Sequence, residues 1–130
     1  MAARRRFAAT AALVVLALDL IEKGLEPTPF HHARSAPALA LTAGLALTVL
    51  WVAPRAPSVF LAVTGGVAAG GALGNLVSAL VWRAGVPDPL VHSGYAFNLA
   101  DVAVVLGDAG LLTAAVAIGW AQRHRLRAPV

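Results

Sequence analysis

The stretch SVFLAVTGGVAAGGALGNLVSALVW, residues 58–82, decides the fold. It carries no charged side chain, and as a helix rising 1.5 Å per residue it is long enough to cross the roughly 30 Å hydrocarbon core of a bilayer. Three further apolar stretches accompany it, at about residues 7–25, 36–53 and 96–122. The second is only just long enough for a span, and Pro54-Arg55-Ala56-Pro57 separates it from the third because neither proline sits comfortably inside a helix. None of the four alternates polar with apolar residues as a barrel strand does, and backbone groups in lipid need internal partners, so the reading is four transmembrane helices. Within the third, Gly66, Gly70 and Gly74 recur at every fourth position beside Gly65 and Gly71. Small residues at this spacing make a flat stripe against which a neighbouring helix packs closely.

Composition agrees. The chain has 130 residues, room for one domain; 59% are hydrophobic, 12% are charged, and the mean hydropathy is +0.78. A water-soluble domain of this size buries too small a fraction of its surface to hide that much apolar area. The net charge of +4 comes from arginines at chain ends and loops, where they orient helices in a membrane rather than form a stripe for nucleic acid. With a cytoplasmic N-terminus, that side collects Arg4, Arg5, Arg6, Arg55, Arg123, Arg125 and Arg127, against Lys23, Arg34 and Arg83 on the other. Both termini are therefore expected in the cytoplasm. The acids lean the other way: Glu22, Glu26 and Asp88 fall at the outer face, Asp19 and Asp101 within a turn or two of it, and Asp108 deeper, as a buried acid. Arg5-Arg6-Phe7 precedes an apolar stretch as in an export signal, but no small-residue cleavage site follows directly, so the first helix is read as uncleaved. The absence of cysteine excludes disulfides, thiolate metal sites and a cysteine nucleophile.

Polar residues inside apolar spans need a reason, since a charge at the bilayer centre costs about 2.5–3.5 kcal/mol even on insertion scales. Asp19 and Lys23, four apart, share a helix face. They read either as a local ion pair with Lys23 snorkelling to the interface or as part of a site. Asn98, Asp101 and Asp108 share one stripe of the fourth helix. Asp88 stands in the extended turn Gly85-Val86-Pro87-Asp88-Pro89-Leu90, held out of helical geometry by Pro89. Asp88 and Asp101 thus both fall at the outer boundary, where they can face each other. Two carboxylates about 4 Å apart, at an effective dielectric near 20, repel by about 4 kcal/mol, enough to keep one proton between them. That is the arrangement in which one carboxylate activates water and the other protonates the substrate. The competing reading makes Asp101 a helix N-cap, but it lies too far past the Pro89 loop to be an obvious one.

Two runs carry a resemblance. Gly70-Gly71-Ala72-Leu73-Gly74-Asn75-Leu76-Val77 and Ala96-Phe97-Asn98-Leu99-Ala100-Asp101 are similar to the two strongest motifs of lipoprotein signal peptidase (signal peptidase II). The turn Gly85-Val86-Pro87-Asp88 resembles the aspartate-bearing turn between those motifs, and Asp19 with Lys23 resembles an Asp-x-x-x-Lys on the family's first helix. The resemblance runs in family order along nearly the whole chain. It implies an intramembrane aspartic peptidase of the bacterial cytoplasmic membrane, acting without cofactor or metal. Its substrate would be a diacylglyceryl-modified prolipoprotein, cut just before the lipidated cysteine at the outer leaflet. Asp88 and Asp101 would be the catalytic dyad, Asn75 and Asn98 would hold substrate or orient the dyad, and Asp19 and Lys23 would support the outer part of the site.

The chain also departs from the family pattern. The loop after the first helix is reduced to residues 26–35 and lacks the usual Asn-containing cradle motif. Ser78 and Ala79 stand where an Asp-Arg pair usually follows the asparagine, with Arg83 further on as a stand-in for the arginine. The segment between the two aspartates is short, and Asp108 has no family counterpart. These departures keep open a dependence on a partner protein, or an inactive relative acting as a membrane scaffold. A proton-coupled transporter titrating Asp19, Asp101 or Asp108 is the reading from another class. His31, His32 and His92 read as solvated loop residues, since adjacent histidines face one ion poorly and no further ligand is offered.

Overall fold

The structure, a computed structural model, describes residues 1–123, so Arg125 and Arg127 of the expected cytoplasmic cluster lie outside the described residues. Four helices appear where four apolar stretches stand: α1 (Ala2–Leu25), α2 (Ala36–Val52), α3 (Val59–Val81) and α4 (Leu99–Ala121). Their starts follow local chemistry. Ser35 and Ser58 cap α2 and α3, each accepting from the backbone N–H three residues on, and Pro37 sits in the first turn of α2, where its missing N–H costs nothing. The Pro54–Pro57 break is a 3-10 turn, Ala53–Arg55.

The helix α3 is central, packing against α1, α2 and α4. Its glycines are shared among three neighbours. A Cβ on Gly70 would stand 2.6 Å from the Ala12 carbonyl oxygen, and one on Gly66 would come closer still to the Ala8 carbonyl, so this side receives the backbone of α1. Gly71 instead meets Ala100 and Ala103 of α4, and Gly65 meets Ala53 at the end of α2. The interior is alanine: Ala8, Ala12, Ala62, Ala69 and Ala100 are buried, while Leu13, Leu45, Leu80, Val105 and Leu112 face outward. That inversion of the usual soluble pattern is what lipid permits, since leucine gains nothing by leaving a medium as apolar as itself, and helices associate through close backbone approach.

Three helices, Ala36–Arg55, Val59–Val81 and Leu99–Ala121, are long and apolar enough to cross a membrane. The first helix differs because it carries Arg4–Arg6 at one end and Asp19, Glu22 and Lys23 near the other. Asp19 and Lys23 are nevertheless buried against the bundle, and Leu13, Val14, Leu18 and Ile21 make its outward face. At the opposite end, Arg4 Nε donates to the carbonyl of Pro54 at 3.3 Å. Arg55 lies over the ring of exposed Trp51, and Arg123 over that of exposed Trp120, as in the aromatic and basic belts of membrane interfaces.

Short strands complete the other end. His31–His32 (β1) pairs antiparallel with Val86–Pro87 (β2), so the reduced loop after α1 is still anchored to the turn that bears Asp88. Leu90–His92 (β3) and Tyr95–Phe97 (β4) form a hairpin closed by Ser93 (φ 51°) and Gly94 (φ 83°), the paired positive angles that suit a two-residue turn. The fourth apolar stretch therefore begins as strand, and its helix starts at Leu99 rather than at residue 96.

Replacing Gly70 with Val is expected to destabilise the protein by about 1–3 kcal/mol through overpacking against α1. Gly44→Ala, where nothing lies within 4 Å of the added carbon, is expected to leave stability unchanged or slightly raised. Thermal unfolding of both variants in the same detergent checks the contrast.

Candidate active site

The start of α4 organises the polar end of the bundle. Its first two N–H groups lack backbone partners, as at any helix start, the third has only the Asn98 carbonyl at 3.2 Å, and three side chains supply acceptors. Leu99 N donates to Glu22 Oε2 at 2.9 Å, Ala100 N to Asp19 Oδ1 at 2.9 Å, and Asp101 N to Asn98 Oδ1 at 3.0 Å. Two of these acceptors come from α1, where anionic groups also complement the positive end of the helix dipole. Asn98 is the N-cap, and the Asp101 carboxylate accepts in return from Asn98 N at 3.3 Å. Asp101 thus belongs to a capping box after all, because the helix begins only after the β3–β4 hairpin.

Behind this helix start lies a closed polar core. Lys23 Nζ donates to Asp19 Oδ2 at 2.8 Å, Asn75 Oδ1 at 3.0 Å and Ser78 Oγ at 3.1 Å. All three ammonium donors are used and the side chain is fully buried, so Lys23 does not snorkel: its partners lie inside, on α1 and α3. Gly74 makes room for this, since a Cβ there would strike the Asp19 carboxylate. Ser78, read from sequence only as a departure from the family pattern, gives Lys23 its third acceptor.

From this core two asparagines reach the two candidate aspartates. Asn75 Nδ2 donates to Asp101 Oδ1 at 2.7 Å, and Asn98 Nδ2 donates to Asp88 Oδ1 at 2.7 Å. Asn98 therefore touches both aspartates, through its backbone and carbonyl on Asp101 and through its amide on Asp88. Asp88 is buried, its main chain tied by Asp88 N to Phe30 O at 3.0 Å and by Thr28 Oγ1 to Asp88 O at 3.1 Å. Asp101 is about a third exposed.

Two residues of the short loop reach the aspartates, a role the sequence did not assign them. His32 Nδ1 lies 2.6 Å from Asp88 Oδ2, so this histidine is engaged rather than solvated, whereas His31 and His92 are exposed. Arg34 Nη2 stands 3.9 Å from Asp101 Oδ1, while Arg83 is exposed in the turn after α3; the arginine near the site comes from the other loop. The sequence signal for both was proximity: His32-Ala33-Arg34 is the only basic cluster of the reduced loop. Among the described residues, no group of three or more His, Asp or Glu side chains is placed to hold a metal ion.

Beside Asp101 a cavity of about 490 Å³ runs down between α2 and α4 over the alanines of α3. Arg34, Asn75 and Asp101 line one part and Asp108 another, with Ala68 and Ala72 as floor and Leu45 and Val105 on the walls. Asp108 is exposed and has no hydrogen-bond partner among the described residues, so it is an acid of the cavity wall and not one buried in the bundle. Gly107 and Gly110 take the packing positions against Ala68 and Thr64, which turns Asp108 away from that contact.

Removing one member of a buried ion pair strands the other, at a cost of about 3–5 kcal/mol, so Lys23→Met is expected to destabilise the protein by that order. In Asp19→Leu/Lys23→Met, which removes both charges but leaves Ala100 N without its acceptor, the loss should be smaller than the sum of the two single losses. A denaturation cycle over the two single variants and the double one measures this. A loss in the double variant equal to the sum of the two single losses would show that the pair is not a coupled unit.

Neither a curated protein nor a solved structure matches the chain significantly. The profile of the family described as Signal peptidase (SPase) II matches residues 30–117, more than half of the chain, covering Asn75, Asp88, Asn98 and Asp101 and leaving Asp19 and Lys23 outside. With apolar helices of membrane-spanning length, this is an integral membrane protein, and the chain belongs to the signal peptidase II family, whose members are aspartic proteases acting on lipoprotein signal peptides.

Proposed function

We propose that this protein is an intramembrane aspartic endopeptidase that removes the signal peptide of diacylglyceryl-modified prolipoproteins, cutting before the lipidated cysteine. The observation that carries the reading is the placement of Asn98, which hydrogen-bonds to both Asp88 and Asp101 and so ties a loop carboxylate to a helix carboxylate. In this reading the two aspartates share one proton. The carboxylate draws a proton from water as it attacks the scissile carbonyl, and the carboxylic acid protonates the substrate. Asn75 and Asn98 fix the orientation of the pair, and Asp19 and Lys23 hold the frame behind it.

The chain is read as one domain of four spans with both termini in the bacterial cytoplasm. Support comes from Arg4, Arg55 and Arg123 gathering with Trp51 and Trp120 at the end opposite the aspartates. The cavity beside Asp101 suits an apolar signal-peptide segment presented from the bilayer, with its alanine floor and leucine and valine walls. A second reading, a proton-coupled transporter, has one observation in its favour: exposed Asp108 on the cavity wall, without a hydrogen-bond partner among the described residues. Proton-driven uptake into vesicles that Asp108→Asn abolishes would support it.

Asp88→Asn and Asp101→Asn are each expected to reduce cleavage of a lipidated precursor by about 10²–10⁴-fold, the contribution usual for a positioned acid or base. Purified protein with a diacylglyceryl-modified prolipoprotein is the assay. Undiminished cleavage in either variant would remove the dyad from the mechanism.

A further inference from the structure

We infer that His32, aligned by Arg34, is a positioning residue for Asp88, its Nδ1–H holding carboxylate oxygen Oδ2 while Asn98 holds Oδ1. The inference rests on the peptidase reading above and adds a residue to it. Asp88 is the less secured of the two aspartates by local structure. It follows the two-residue strand β2 and precedes Pro89, so no helix holds its side chain in place. Two donors converge on it instead: Asn98 Nδ2 at 2.7 Å from Oδ1, and His32 Nδ1 at 2.6 Å from Oδ2.

The tautomer of His32 follows from its other neighbour. Arg34 Nε donates to His32 Nε2 at 3.2 Å. A guanidinium carries donors only, so Nε2 is the acceptor and the ring proton resides on Nδ1, pointing at Asp88. Backbone pairing makes the placement reproducible, since His31 and His32 are laddered to Pro87 and Val86, immediately before Asp88. Gly85 permits that approach: it has φ +108°, and a Cβ there would meet the carbonyl of His32. Arg34 also stands 3.9 Å from Asp101 Oδ1, so one short segment addresses both aspartates, each at the carboxylate oxygen that Asn98 does not hold.

The test joins a spectroscopic and a kinetic measurement on the full-length protein in detergent. Nitrogen-15 NMR of the histidine side chains, assigned with His32→Asn, is expected to show His32 protonated on Nδ1 and unprotonated on Nε2. A His32 proton on Nε2 alone would overturn the alignment by Arg34. With a lipidated precursor, His32→Leu is expected to lower kcat by about 10- to 100-fold with KM little changed, the loss of one hydrogen bond to a charged group. His32→Asn, whose Nδ2 stands near the place of Nδ1, is expected to recover most of that rate. Unchanged kcat in His32→Leu, or a rise confined to KM, would overturn the positioning role. A wild-type protein that cuts nothing would overturn the peptidase reading and the role of His32 with it, while the tautomer would still stand or fall on the spectrum.

Discussion

A lysine that leaves water inside an apolar bundle must place three donors at once, and the architecture follows from how Lys23 does so. Its acceptors are Asp19 on its own helix and Asn75 and Ser78 on α3. Each partner is then committed elsewhere: Asp19 to the start of α4, Asn75 to Asp101, Ser78 to the carbonyl of Gly74. The ammonium group joins α1 to α3, and Asp19 and Asn75 carry the link on to α4. The result is a polar core in which every buried side-chain nitrogen and oxygen of the described residues has a partner. A partly satisfied network would cost more than an apolar one, so completeness here is a condition of stability.

That network sits on a bundle of little side-chain bulk. Glycine and alanine let α1 approach α3 closely enough for Asp19 to lie against Gly74. A larger residue at that position would separate the helices and break the contact between Asp19 and Ala100 N. Small-residue packing and the candidate site are therefore one design problem. The former sets helix spacing, and the latter needs that spacing to within a few tenths of an ångström to keep its hydrogen bonds.

Much of this was legible in the residues. The four helices, the proline break between α2 and α3, and the role of Gly66, Gly70 and Gly74 in close packing all follow from apolar run length, proline sterics and small-residue spacing. That Asp88 and Asp101 fall at one end of the bundle, where each meets Asn98, followed from run lengths and the Pro89 turn. Other features were out of reach of such rules. The hairpin Leu90–Phe97 straddles the expected start of the fourth apolar stretch at residue 96, and its signal, Ser93-Gly94 between two triplets, is short. Its presence moves the start of α4 and turns Asp101 into a capping residue. Asp108 shares the stripe of Asp101, but whether a stripe faces a neighbour or a cavity depends on where α2 stands.

The sequence by itself determined which segments are helices, that lipid is their solvent, and which polar residues are too costly to be there without a purpose. Those are local or additive properties: hydropathy summed over a span, backbone sterics, the cost of a buried charge. Tertiary structure decided the partners. That Lys23 turns inward, that Glu22 and Asp19 cap a helix some eighty residues away, and that His32 and Arg34 reach the aspartates all depend on contacts between segments distant in the chain. Hydrogen bonds are short and directional, so their partners are settled only once helix packing has set where each donor points.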